Sequence, residues 1–163
     1  MLGKAEMRQL TAALSALLLG LAFYLLMRPA ESVYLFSGLS VLPGHHLALL
    51  GKAGQWLPSA IHAYVFILLT VVAVGNGPRV IYASALLWLS IGWLFEWGQY
   101  PAVAEQVLEI IPEWFSQVPI LENSRNYFQN GSFDYLDLLA TFLGALAALL
   151  TYQLTINKQG AAV

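Results

Sequence analysis

Cysteine is absent from this chain of 163 residues, and charged residues are scarce. Without thiols the protein forms no disulfide, holds no metal or iron–sulfur cluster through thiolates and performs no cysteine-based catalysis. Charged residues make up 10% of the sequence and hydrophobic residues 59%, whereas a soluble domain carries roughly 25% charged residues. This composition excludes an ordinary soluble domain and predicts an integral membrane protein.

The sequence also lacks the features of nucleic-acid and cofactor binding. A net charge of −2 gives no basic surface, so we predict no nucleic-acid partner. No glycine-rich phosphate loop, dinucleotide fingerprint, nucleophile elbow or zinc-protease motif occurs in it. His45 and His46 resemble a metal pair, but adjacent helical residues do not face the same way. We therefore predict no metal site and no cofactor.

Four stretches are long and apolar enough to cross a bilayer, which requires about 20 helical residues. The predicted spans are 10–27, 57–75, 80–99 and 133–156. The turn at Gly75–Pro78 is so short that the second and third spans must form an antiparallel hairpin. Ser132 is the predicted N-cap of the last span. The predicted fold is all-α: an integral membrane four-helix bundle forming a single transmembrane domain over residues 1–163.

Small residues recur every four positions on two of these spans. The first span carries Ala12, Ala16 and Gly20, and the last carries Ala140, Gly144 and Ala148. Such stripes allow two membrane helices to approach closely. We interpret both stripes as packing surfaces.

The connection between the third and fourth spans, residues 101–131, has an amphipathic pattern. Glu105, Glu109 and Glu113 recur every four residues, and apolar side chains occupy the opposite face. We predict an extra extramembrane helix over 102–118, bent near Pro112. Its polar face is acidic and unsuited to anionic headgroups, so this insert is predicted to contact partner membrane protein chains.

The distribution of basic residues predicts the orientation in the membrane. With a cytoplasmic N-terminus, the short inside segments hold Lys4, Arg8, Arg79 and Lys158. The two long outer loops then hold Arg28, Lys52 and Arg125. Because the density of positive charge is higher in the short segments, we predict that both termini are cytoplasmic.

Five polar residues fall at membrane depth, where an ionisable side chain costs at least roughly 2.5 kcal/mol at a helix centre. They are His62, Glu96, Gln99, Asp134 and Asp137. The second span enters the membrane where the third leaves it and the fourth enters again, so all five lie at one membrane face. The i, i+3 spacing of Glu96 with Gln99, and of Asp134 with Asp137, places each pair on one side of a helix. The sequence therefore predicts a polar cluster just below the headgroups, opening to the outer leaflet.

Each of these residues also has a purely structural interpretation. Asp134 suits the first turn of a helix, where a carboxylate accepts a free N–H. Asp137 is consistent with a buried hydrogen-bond anchor, Glu96 with interfacial solvation, and His62 with a neutral, hydrogen-bonded histidine. The sequence leaves these alternatives open.

The same residues resemble a known family, the VanZ-like membrane proteins. That family has a histidine early in one span, Glu-x-x-Gln at the end of the next and Asp-x-x-Asp at the start of the last. The matching residues here are His62, then Glu96 with Gln99, then Asp134 with Asp137. Thr141 stands where the family favours asparagine. The resemblance covers residues 57–150 and implies a small bundle in the cell envelope, in a bacterial inner membrane. It also implies a loop arginine, for which Arg125 is the candidate.

Three functional hypotheses from different classes follow. The first is a non-catalytic cell-envelope protein that binds an amphiphile or a lipid-linked ligand at the polar cluster, with membrane lipid around it. The second is an accessory or structural subunit of a larger membrane complex, docked through the 101–131 insert. The third is a membrane enzyme using Glu96 or Asp137 as a base with His62 as a proton shuttle, although no nucleophile or complete ligand set accompanies them.

Overall fold

A computed structural model describes residues 2–27, 53–119 and 121–160, with side chains over 2–23, 56–119 and 121–157. Within these ranges every regular element is a helix, which confirms the all-α prediction. The elements are α1 (Lys4–Met27), α2 (Ala53–Val74), α3 (Pro78–Gly98), α4 (Pro101–Ile110), a 3-10 helix (Glu113–Gln117), α5 (Ser124–Asn130) and α6 (Tyr135–Gly160).

Three segments of these helices are long and apolar enough to cross a membrane, as the sequence predicts. They are Trp56–Val74, Pro78–Gly98 and Tyr135–Asn157. The remaining predicted span, 10–27, lies within α1, whose last side chains fall outside the described residues. The three confirmed segments indicate a membrane protein, and the fourth span stays a prediction. His45 and His46 also lie outside the described residues.

Helix α2 is at the centre of the bundle and packs against α1, α3 and α6. Its side chains Val65, Ile67, Leu68 and Val71 are buried there. Large apolar residues on the outside of the bundle are exposed, among them Leu18, Leu86, Leu94 and Leu154. Lipid tails are as apolar as leucine, so such an exterior suits a bilayer rather than water.

Helices α2 and α6 approach each other closely at Gly144. Gly144 of α6 lies so near the backbone of Ala60 that a Cβ on Gly144 would collide with the Ala60 carbonyl oxygen. Ala140 and Ala148, one turn to either side, are also buried. The small-residue stripe on the last span is therefore a packing surface.

A buried amide joins three elements at the other end of the bundle. The Gln9 side chain is fully buried in α1, and its Nε2 donates to Thr155 Oγ1 at 2.9 Å and to Asn76 Oδ1 at 3.2 Å. These bonds fix the start of α1 to the turn between α2 and α3 and to the end of α6. The Gln9 Oε1 atom is buried with no hydrogen-bond partner among the described residues.

The insert differs from the single bent helix predicted for 102–118. Helix α4 ends at Ile110, Ile111 is extended with ψ 117°, and a 3-10 helix follows Pro112. Proline disfavours the helical conformation of the residue before it, so the break falls where the sequence places the bend. The rest of the insert adds a second short helix, α5, which the sequence did not predict. Arg125 of α5 donates from Nη2 to the carbonyl oxygen of Ile111 at 2.8 Å, which ties α5 to the end of α4.

Candidate functional site

A cavity of about 330 Å³ lies between α2, α3 and α6, with α5 contributing to its wall. Its polar lining residues are Ser59, His62, Glu96, Tyr127, Asp137 and Thr141. Three of the five residues in the predicted polar cluster, His62, Glu96 and Asp137, thus line one cavity although they lie on three different helices. The other two, Gln99 and Asp134, stand behind the wall and hold lining residues.

The end of α3 determines where Glu96 points. Gln99 N and Tyr100 N donate back to the carbonyl oxygens of Glu96 and Trp97, and Pro101 begins the next helix. Glu96 is 8% exposed, and its Oε1 accepts a hydrogen bond of 2.5 Å from the backbone N–H of Asp134. The carboxylate therefore connects the end of α3 to the segment that opens α6.

Asp134 acts as a helix cap. Its Oδ1 accepts a hydrogen bond from Leu136 N at 2.9 Å, and α6 begins at Tyr135. Asp134, and not Ser132 as predicted, therefore occupies the N-cap position. The structural interpretation of Asp134 accounts for its side chain, which does not line the cavity.

Asp137 joins α6 to α2 inside the cavity. Ser59 Oγ donates to Asp137 Oδ1 at 2.5 Å. One turn further along α6, Thr141 Oγ1 donates to the carbonyl oxygen of Asp137 at 2.7 Å. Because Ser59 lies three residues before His62, both side chains reach the cavity from the same side of α2.

Aromatic rings form the wall between α2 and α3. Phe66 stacks on Trp88 with ring centroids 4.7 Å apart, and His62 stacks on Phe66 at 5.9 Å. Phe66 and Phe95 line the cavity and are also 41% and 51% exposed on the outside of the bundle. This side of the cavity therefore reaches the outer surface of the bundle, where lipid would surround the helices.

Tyr127 brings the insert into the cavity wall. Its hydroxyl oxygen accepts a hydrogen bond of 2.5 Å from Gln99 Nε2, and its ring packs edge-on against Phe95. Partial burial raises the pKa of the Tyr127 phenol, and the nearby carboxylates of Glu96 and Asp137 raise it further. The phenol therefore stays protonated at neutral pH, and its O–H remains a hydrogen-bond donor.

Arg125 lies outside the cavity lining, bound to Ile111 as described above. Of the lining residues that the sequence did not single out as candidates, Ser59 and Thr141 had a detectable signal. They lie three residues before His62 and four after Asp137, on the same helical faces. Tyr127 had none, because its role depends on how the insert folds back onto α3. Within the described ranges, no three His, Asp or Glu side chains are grouped so as to hold a metal ion.

Comparison of the chain with protein-family models, with curated proteins and with solved structures gives no match. The resemblance to the VanZ-like proteins thus rests on the motifs around His62, Glu96 and Asp137 alone.

Proposed function

We propose that this protein is a cell-envelope membrane protein that binds the polar head of an amphiphilic or lipid-linked molecule in the cavity between α2, α3 and α6. This proposal rests on one observation: two carboxylates, Glu96 and Asp137, line this cavity together with aromatic side chains that are exposed on the outside of the bundle. Two carboxylates inside the cavity and an apolar opening beside them match a ligand that has a polar head and an apolar tail.

The depth of the cavity supports a head-group ligand. His62 lies six residues after Trp56, the first residue of its apolar segment, which places it about 9 Å along the helix axis. Trp97, Tyr100 and Tyr135 are exposed at the same end of the bundle. Exposed tryptophan and tyrosine rings favour the headgroup level of a bilayer, so the cavity lies just below that level.

The size of the cavity sets a limit on what enters it. Pockets for small molecules run from about 300 to 1,000 Å³, and this one has about 330 Å³. It accommodates a head group, while an acyl or prenyl tail would remain outside, beside Phe66 and Phe95.

A cavity-filling pair of variants tests this function. Ala63 is 4% exposed and lines the cavity, whereas Ala73 is exposed on the same helix. In nanodiscs, we expect dodecyl probes carrying a diazirine beside an ammonium or a maltoside head to label the cavity residues. Ala63→Leu should reduce this labelling to a small fraction of the wild-type level, and Ala73→Leu should leave it unchanged. Equal labelling of the two variants, or labelling spread around the bundle, would contradict the proposal.

We propose further that the chain crosses a bacterial inner membrane four times, with α1 as the first span and both termini cytoplasmic. The sequence between Leu10 and Met27 is free of charge, and the motif resemblance supports placing the chain among the VanZ-like proteins. Lys4, Arg8 and Arg79 then lie on the cytoplasmic side, as the positive-inside rule requires.

Cysteine labelling tests the orientation cleanly, because the chain has no native cysteine. Gln117, in the insert, and Asn157, near the end of α6, are both exposed. In intact spheroplasts we expect an impermeant maleimide to label Gln117→Cys at once and Asn157→Cys only after the membrane is opened. Simultaneous labelling of both positions would show that the topology is wrong.

A second candidate function is that of an accessory subunit docked through the insert. Ile110 and Trp114 are 77% and 55% exposed there, although both are large and apolar. Purification in a mild detergent distinguishes the two functions. Partner chains in stoichiometric amount that are lost on Ile110→Glu would favour the subunit, and a monomer that retains a lipid would favour the binding protein.

A further inference from the structure

The carboxylates in the cavity each have one oxygen engaged by the protein. Glu96 Oε1 accepts a hydrogen bond from the Asp134 N–H, and Asp137 Oδ1 accepts one from the Ser59 hydroxyl. The second oxygen of each, Glu96 Oε2 and Asp137 Oδ2, makes no hydrogen bond with the residues that the structure describes. Because Glu96 is only 8% exposed and lines the cavity, its second oxygen is available to accept a hydrogen bond from a molecule inside the cavity.

Among the described residues that line the cavity there is neither lysine nor arginine, and His62 is the only basic side chain. Arg125, on the helix that supplies Tyr127, is bound to the Ile111 carbonyl oxygen instead. An ionised carboxylate without a partner at membrane depth is costly. The cavity therefore favours an occupant that brings positive charge, and it repels an anionic head.

The aromatic wall favours the same kind of occupant. Phe66 and Trp88 both line the cavity and stack on one another. The faces of aromatic rings attract cations, tryptophan most strongly. Two carboxylates and two aromatic side chains thus line the same cavity.

We propose that the head bound in this cavity is a primary ammonium group carried by an amphiphile. This inference rests on the proposed function, since it specifies the head of the ligand that the cavity takes. The ammonium N–H groups donate to Glu96 Oε2 and Asp137 Oδ2, and the carbon next to the nitrogen lies against the aromatic wall. A quaternary ammonium keeps the charge but has no N–H to donate, and a neutral sugar head leaves both charges without compensation.

The experiment is a binding series with the whole protein in phosphatidylcholine nanodiscs, measured by calorimetry against empty nanodiscs. The probes are dodecylammonium, dodecyltrimethylammonium, dodecyl maltoside and dodecyl sulfate, all below solubilising concentrations. We expect dodecylammonium to bind about tenfold or more tighter than each of the others, because a charge-assisted hydrogen bond is worth about that factor. Glu96→Gln and Asp137→Asn should each weaken its binding by about tenfold. Glu105→Gln, an exposed carboxylate on α4, is the matched control and should leave it unchanged.

The outcomes separate this inference from the function on which it rests. Tighter binding of dodecyl maltoside or dodecyl sulfate to the cavity would overturn the ammonium head and leave an amphiphile-binding protein. Equal binding of the trimethylammonium probe would overturn the primary amine. If Glu105→Gln weakened dodecylammonium binding as much as Glu96→Gln does, the protein's net charge alone would explain the binding, and the inference would be overturned. Binding of none of the probes would overturn both the inference and the proposed function.

Discussion

We expect Gly144→Ala to lower the thermal unfolding midpoint of the purified protein by several degrees. The added Cβ would collide with the carbonyl oxygen, carbon and Cα of Ala60, which are backbone atoms of α2 and cannot rotate away. The two helices must separate to accommodate it, and overpacking of this kind costs about 1–3 kcal/mol. The better helix propensity of alanine returns up to about 1 kcal/mol of that loss.

Gly20→Ala is the matched control for this substitution. A Cβ at Gly20 would meet the Cγ2 atom of Ile61 at 3.0 Å, which belongs to a side chain that can move. We therefore expect the control to change the midpoint by much less. If the two variants unfold at the same temperature, the close approach of α2 and α6 does not contribute to stability as described.

We expect Glu96→Leu to destabilise the protein by roughly 1–3 kcal/mol, the cost of leaving a buried donor unsatisfied. The substitution removes the acceptor of the Asp134 N–H and so frees the start of α6 from the end of α3. Glu96→Gln keeps an oxygen in the same position and removes a negative charge that lies near those of Asp134 and Asp137, so its stability should remain close to wild type. Unfolding midpoints in one detergent measure both variants, and equal losses would show that the charge of Glu96, and not its hydrogen bond, stabilises the fold.

The membrane segments were predictable because each is determined by a local run of apolar residues. The predicted spans at 57–75, 80–99 and 133–156 agree with the helical segments to within a few residues. The convergence of His62, Glu96 and Asp137 also followed from the sequence, since antiparallel spans of similar length bring specific helix ends to one membrane face. What the sequence left open for Asp134 was whether its side chain caps a helix or faces a ligand, and the bond to Leu136 N decides for the cap.

The insert was less predictable, because its structure depends on contacts that are distant in sequence. Pro112 marked a break, but no local pattern indicated that Arg125 would donate a hydrogen bond to the carbonyl oxygen of Ile111. Helix α5 has seven residues, too few to be stable without tertiary contacts. Phe128 of α5 packs against Gly98, where any side chain in place of the glycine would collide with the Phe128 ring. Neither the periodicity nor the composition of the sequence indicates this contact.

Tyr127 connects the insert to the cavity, because it lies on helix α5 of the insert and its side chain forms part of the cavity wall. Any macromolecule that binds the insert and shifts α5 therefore changes the free energy of occupying the cavity. Thermodynamic linkage requires the converse, by the same factor: an occupied cavity changes the affinity of the insert for that macromolecule. On the proposed function, ligand binding in the cavity and docking of a partner chain on the insert would be coupled through the Tyr127 side chain.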